Sequence, residues 1–220
     1  MSTYIPIQCN GCYTEIGSAM RILVACEYSG VVRDAFLKEG HYALSCDLFP
    51  CDSLNSGDHF QGDVTEILDQ DWDLMIAHPP CTHLAVSGAK FFAQKKASGV
   101  QDQALDFVTM LLEAPIPKIA LENPIYIIST RIRKPDQIVQ PWWFGHMEQK
   151  STCLWLKNLP PLEKTNDVKQ EMMTLPKNQR ERMFYLPPSA DRWKIRSKTY
   201  SGLAEAMAAQ WGVDKKFSLV

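Results

Sequence analysis

No apolar run in this 220-residue sequence approaches the roughly 20 residues of a membrane-spanning helix, and the N-terminus lacks the charged and apolar regions of a secretory signal. Both absences point to a cytoplasmic protein. Charge of one sign is also missing. The formal net charge is −2, so any binding of nucleic acid has to come from a local patch. The seven cysteines are odd in number and scattered, which excludes a dense disulfide scaffold and favours reduced thiols. Cys9-Asn10-Gly11-Cys12 has the spacing of a metal knuckle, but no second CxxC or HxxxH follows, so no metal is expected. Finally, the stretch from Asp47 to Asp73 holds eight acidic residues and no Lys or Arg. It disfavours a bound polyphosphate and suits a ligand that carries positive charge.

What is present is apolar content, 45% of residues, enough for one substantial core. Arg21 to Cys26 reads as a buried strand, and Ser29-Gly30 opens a helix that ends near Gly40. Further strands are expected at Tyr42–Cys46, ending at Asp47, at Asp73–Ala77, ending at His78, and at Lys118–Leu121, ending at Glu122. Between the last two, Ala104, Leu105, Val108, Leu111 and Leu112 recur at helical spacing within 101–113. Alternating strands and helices imply an α/β fold with a mostly parallel sheet covered by helices on both faces. Four segments follow: an N-terminal extension (1–19), a core (20–162), a short basic and aromatic insert (163–198), and a closing helix with tail (199–220) that belongs to the core.

In such sheets ligands bind beyond the carboxyl ends of the strands, which is where the polar residues of this chain gather. Glu27, Tyr28, Ser29 and Gly30 follow the first strand, Asp47 follows the second, and Asp63 precedes another helical segment, where it also has the position of a cap. A carboxylate after the second strand is placed to accept hydrogen bonds from ribose hydroxyls. With the acidic stretch around it, the pocket suits S-adenosylmethionine, which carries a sulfonium and an ammonium. Cys81 follows Pro79-Pro80, whose fixed backbone angles present the thiol on a stiff loop. Attack requires the thiolate, so the site should lower the thiol's pKa or supply a base, and His78 and His83 are the candidates. Cys26, Cys46 and Cys153 fall in strand-like runs and are expected in the core. A thiol on a rigid turn with a carboxyl at a later strand end is equipment for attacking a pyrimidine ring and holding its polar edge.

At these residues the chain resembles the DNA cytosine-5 methyltransferases. Pro80-Cys81-Thr82, with Gly88 seven residues after the cysteine, resembles their Pro-Cys-Gln loop, and Glu122-Asn123-Pro124 resembles their Glu-Asn-Val motif. Val24 to Gly30, Asp47 and Asp63 stand in the order of the family's cofactor motifs. The resemblance covers about residues 20–157 and implies a Rossmann-like, S-adenosylmethionine-dependent methyltransferase fold. It further implies that Cys81 adds to C6 of a cytosine in DNA while Glu122, with Asn123 beside it, holds the base. Glu27, Tyr28, Ser29, Gly30, Asp47, Asp63, Pro79 and Pro80 then line the cofactor pocket. A base attacked in this way must leave the duplex stack.

The departures from the family are informative. Cys26 and Tyr28 stand where small residues are usual, which weakens the expected hold on the cofactor. The family's Gln-x-Arg-x-Arg strand corresponds to Gln149-Lys150-Ser151-Thr152-Cys153, so both arginines are missing; Lys150 is the nearby cation, with Arg131 and Arg133 as alternatives. The long target-recognition domain is also missing, a compactness that suits a mobile element such as a phage. In its place, residues 177–198 hold seven basic residues against two acids, with Phe184, Tyr185 and Trp193 among them. Together with Lys150, the residues Arg180, Arg182, Arg192, Lys194 and Arg196 are the expected nucleic-acid contacts, cations for phosphates and aromatics for unstacked bases. An RNA or free-nucleotide substrate, or a non-catalytic relative that binds nucleic acid or a partner protein, are the alternatives.

Overall fold

The computed structural model describes residues 18–54, 56–84 and 99–213. Its sheet grows from short apolar runs that are buried on both faces, the pattern of central parallel strands. In β1 (Arg21–Ala25) every residue after Arg21 is buried, and all four residues of β4 (Leu74–Ala77) are buried. Alternate residues of these strands serve opposite faces. Leu23, Ala25, Met75 and Ala77 face one hydrophobic layer, with Leu105, Val108 and Leu111 of α2 (Val100–Glu113). Ile22, Val24, Leu74 and Ile76 face the other, with Val32 and Phe36 of α1 (Val31–Lys38) and Leu203, Met207 and Trp211 of α8 (Ser201–Trp211). The helical spacing at Leu105, Val108 and Leu111 therefore serves packing.

The remaining strands are β2 (Tyr42–Asp47), β3 (His59–Gln61), β5 (Lys118–Pro124), β6 (Gln137–Val139) and β7 (Thr152–Lys157). The seven-stranded sheet runs β3-β2-β1-β4-β5-β7-β6, parallel from β3 to β5, with β7 antiparallel to both its neighbours. This is a Rossmann-like α/β fold, with the 3-2-1-4-5 order of the doubly wound dinucleotide folds and a reversed β7 inserted before β6. The chain order reverses between β1 and β4, so a crevice opens at their carboxyl ends. Two glycines hold this end together. Gly30 takes φ 70° at the start of α1, where a Cβ would also meet the Arg33 guanidinium, and Gly202 lets α8 close on Phe144, because a Cβ there would collide with the Phe144 carbonyl.

Two strand boundaries differ from the sequence expectation. β5 continues through Glu122, Asn123 and Pro124, because β7 pairs with it antiparallel as far as Pro124↔Thr152. Cys26 lies past the end of β1 at φ 59°, half-buried, rather than inside the strand core; Cys46 and Cys153 are buried as expected. Short helices α3 (Ile127–Arg131), α4 (Lys169–Thr174), α5 (Lys177–Arg180), α6 (Arg182–Tyr185) and α7 (Arg192–Ser197) complete the chain. Among the described residues no helix is long and apolar enough to cross a membrane. Cys9 and Cys12, the loop through Gly88, and residues 214–220 lie outside the described residues.

Candidate active site

Strand register, rather than sequence proximity, assembles the central residues. The β4–β5 ladder ends at Ala77↔Leu121, so the next residues out, His78 and Glu122, stand side by side although 44 positions apart. His78 Nδ1 lies 3.2 Å from Glu122 Oε2. Pro79 and Pro80 have no N–H with which to continue the ladder. Asn123, 1% exposed, takes over the connection by donating from Nδ2 to the Pro79 carbonyl at 2.8 Å. The chain then enters a tight 3-10 turn at Cys81–His83, closed by Leu84 N–H donating to Cys81 O and held down by the buried Leu84 side chain. Cys81 is exposed at the head of this turn.

The charges of the two central residues oppose each other. Burial would raise the Glu122 carboxyl, but the hydrogen bond and charge of His78, helped by Lys150, hold it below the usual carboxylate range. For Cys81 the surrounding protein partly desolvates the sulfur, and with the Glu122 charge it pushes the thiol above its ordinary value; Lys150 and Arg196 pull it back. The expected lowering of the thiol by a neighbouring histidine is therefore corrected. His78 faces Glu122, and among the described residues no hydrogen bond joins either His78 or His83 to the Cys81 sulfur. Arg131 and Arg133, the alternative cations, are engaged by carboxylates. They pair with Asp102 at 3.6 Å and Asp136 at 2.6 Å.

On the other side of the crevice, Glu27 and Ser29 serve the helix start. The Glu27 carboxylate, 4% exposed, accepts from Val32 N–H at 2.7 Å, Arg33 N–H at 3.2 Å and the Ser29 hydroxyl at 3.2 Å. A buried acid at the N-terminus of α1 satisfies otherwise orphaned donors and matches the helix dipole, and it leaves neither oxygen pointing to solvent. Asp47, at the end of β2, accepts from Phe49 N–H at 2.9 Å, and burial pushes its carboxyl above the ordinary value. Asp63 is exposed and caps the Val64–Glu66 turn, accepting from Thr65 N–H at 2.9 Å, which with the Thr65 hydroxyl holds it low. Both carboxylates add to the burial that raises the Cys26 thiol, which places their charge around the turn after β1. Arg33, fully buried near this turn, is engaged by Asp34, Ser45, Cys51 and the Asp58 carbonyl.

The segment expected as a nucleic-acid surface folds back over this crevice. Tyr28 donates its hydroxyl to the Lys194 carbonyl of α7 at 2.8 Å, and Trp193 packs 5.4 Å from Tyr28 and 5.0 Å from Phe49. Lys150 donates to the Arg196 carbonyl at 3.0 Å, and so both cations reach the vicinity of Cys81. The other expected contacts are engaged by the protein itself: Arg182 pairs with Glu148 at 2.8 Å, Arg192 donates to the Leu186 carbonyl and Arg196 to the Met183 carbonyl. Arg180 donates to the Leu175 carbonyl at 3.5 Å, while Lys194 lies over the Tyr28 and Trp193 rings. Phe184 and Tyr185 remain open, 72% and 47% exposed. The Tyr28–Phe49–Trp193 cluster has no sequence signal, because its members lie in three separate segments.

No protein-family model matches the chain, and no curated protein matches its sequence. Among solved structures, the Dnmt2 methyltransferase of S. pombe is similar with a TM-score of 0.44 and 14% sequence identity, over 79% of this chain and 61% of that one. This chain therefore spans about three-fifths of that chain's length.

Proposed function

We propose that this protein is an S-adenosylmethionine-dependent methyltransferase that modifies C5 of cytosine in DNA through a covalent bond between Cys81 and C6. The observation that carries the reading is that the β4–β5 register ties the turn bearing Cys81 to Glu122 and Asn123, through His78 and the Pro79 carbonyl, beside an acid-lined crevice at the ends of β1 and β2. The charge of the crevice supports this cofactor. Asp47 ionises against burial, a cost that hydroxyl donors or a cation would offset, and the stretch from Asp47 to Asp73 has no lysine or arginine to compete. Asp47, Asp63 and the Tyr28 face would hold the cofactor, whereas Glu27 and Ser29 act by shaping the turn. When bound, it supplies an electrophilic methyl on a sulfonium centre.

Cys81 forms a bond from its thiolate to C6, and the ring's electron pairs shift so that C5 becomes nucleophilic. Glu122, as an ionised acceptor, takes the hydrogen bond of the 4-amino group. Donors on that group offset the carboxylate charge that otherwise raises the thiol, so binding the base favours the thiolate. Once C5 bears the methyl group, its proton passes to water, the C5–H electron pair re-forms the ring double bond, and the C6–S bond breaks to release Cys81 as thiolate. Incubation with labelled S-adenosylmethionine and DNA should place label on C5, and DNA containing 5-fluorocytosine, which has no C5 proton to lose, should remain bound to Cys81. A Cys81→Ser protein that transfers as well as the parent would overturn the mechanism.

One observation favours a second substrate, RNA or a free pyrimidine nucleotide. Arg182, Arg192 and Arg196 spend donors on the protein itself, which weakens the case for a dedicated duplex-binding surface. Comparing label transfer among DNA, RNA and nucleotide decides between them. Calorimetry without S-adenosylmethionine binding points instead to a non-catalytic role.

A further inference from the structure

The helix α6 buries one side chain and turns two aromatic rings outward. Met183 is 9% exposed and anchors the helix, whereas Phe184 and Tyr185 are 72% and 47% exposed. Their rings meet at 5.1 Å and 85°, an edge-on pairing that leaves flat ring surface open. The backbone under them is clamped from α7. Arg196 donates to the Met183 carbonyl at 3.2 Å, and Arg192 donates to the Phe184 and Leu186 carbonyls at 3.5 and 2.9 Å. Trp193, by contrast, spends its ring on Tyr28 and Phe49. We propose that Phe184 and Tyr185 form a stacking platform for the bases of single-stranded DNA, and that the protein takes its substrate as a single strand in preference to a duplex.

The state of the cations separates the two forms of DNA. A duplex stacks its bases on one another and offers phosphates, so a duplex binder needs about six or more cation contacts. Here Arg180, Arg192 and Arg196 turn donors to backbone carbonyls, and Arg182 pairs with Glu148. Carbonyl partners are neutral, so the first three keep their charge while losing hydrogen-bonding capacity. Residues 177–198 still hold seven basic residues against two acids. The result is a positive field that attracts a polyanion and leaves the grip to the rings, which fits nucleic acid better than an apolar protein surface. A single strand offers unstacked base faces, and every base has one. The platform also adjoins the candidate site. Arg196, which holds Met183, accepts Lys150 at its own carbonyl at 3.0 Å, and the charges of both reach Cys81. A strand held on the rings can present a nearby base to Cys81 with no duplex to open.

This inference rests on the DNA reading above, and its test keeps the two separable by measuring binding in Cys81→Ala without cofactor. Fluorescence anisotropy with a labelled strand of about 16 nucleotides and with its duplex should show the single strand bound tenfold or more tighter. Adding Phe184→Ala or Tyr185→Ala should each weaken that binding about tenfold, while Phe184→Trp, which keeps a stacking ring, should preserve it. Thermal melting checks that these exposed substitutions leave the fold intact. The dependence of log K on log salt should be shallower than about −2, where six duplex phosphate contacts would give about −5. A duplex bound as tightly as the strand, a slope near −5, or no loss in either alanine variant overturns the proposal. Binding of no oligonucleotide also overturns it, and self-association in sedimentation that Phe184→Ala removes would then assign the rings to a second copy of the chain. Ring-dependent binding of the strand without label transfer by the parent leaves the platform standing and removes the methyltransferase reading; label transfer without a single-strand preference does the reverse.

Discussion

The Cys81–Glu122 end of the crevice and the 163–198 segment are built by different means. At the first, backbone pairing places each side chain: β4 and β5 are central strands buried on both faces, and their ladder sets His78 against Glu122 and Pro79 against Asn123. A one-residue slip would send every one of these side chains to the opposite face of the sheet, exchanging two hydrophobic layers at once, so register here is strongly specified. In the second, short helices are held by side chains reaching backbone carbonyls and by one ion pair to Glu148. Such contacts are individually weak, on the order of 1 kcal/mol each. The Cys81–Glu122 end is thus rigid, while the 163–198 segment can rearrange at modest cost.

The largest effect that would test this contrast is at Cys81, the proposed nucleophile. Cys81→Ala should abolish trapping and reduce methyl transfer by roughly 10⁴-fold or more, with calorimetric cofactor binding unchanged. Glu122→Gln should lower kcat by about 10²–10³-fold. Because the Glu122 charge raises the Cys81 thiol, the same variant should shift iodoacetamide labelling of Cys81 to lower pH, and Lys150→Met should shift it to higher pH. Equal labelling profiles in all three proteins would show that the two strands are not coupled.

Asp47→Asn should separate binding from stability. The folded-state carboxyl lies above its unfolded value, so its ionisation costs stability that is progressively lost as pH rises from the unfolded to the folded pKa. The variant should therefore melt at the same temperature or higher at neutral pH while binding S-adenosylmethionine more weakly; scanning calorimetry and titration calorimetry read the two effects. In the segment over the crevice the expected effects are smaller. Trp193→Ala, which removes the ring packed on Tyr28 and Phe49, should weaken cofactor binding without altering the alkylation profile of Cys81. Arg182→Ala should cost about 1 kcal/mol or less in urea unfolding, since its side chain is 49% exposed. A core change such as Trp155→Ala should cost about 3–5 kcal/mol.

Much of the fold is legible in the sequence. β1, β2, β4 and α2 appear where the hydrophobic runs and helical spacing put them, because those side chains answer to burial, a local and cumulative signal. The extension of β5 through Glu122-Asn123-Pro124 is not legible, since its polar and proline residues argue against a strand and only the partner β7 holds them in one. Asp63 illustrates a double assignment: its sequence position fits both a cofactor motif and a helix cap, and the structure shows the cap. The six expected nucleic-acid residues illustrate the opposite problem. A run of cations says nothing about which carbonyls or carboxylates lie within reach once the segment folds.

Cys81 on its proline turn and the carboxyl at Glu122 are recognisable from residue type and order alone, because prolines act locally on the backbone and strand ends follow from apolar runs. That His78 serves Glu122 rather than the thiol, that the thiol is raised rather than lowered, and that Lys150 and Arg196 converge on it are decisions of tertiary structure. Each depends on distances between residues far apart in the chain, and electrostatic energies depend on those distances and on burial, neither of which a linear pattern contains.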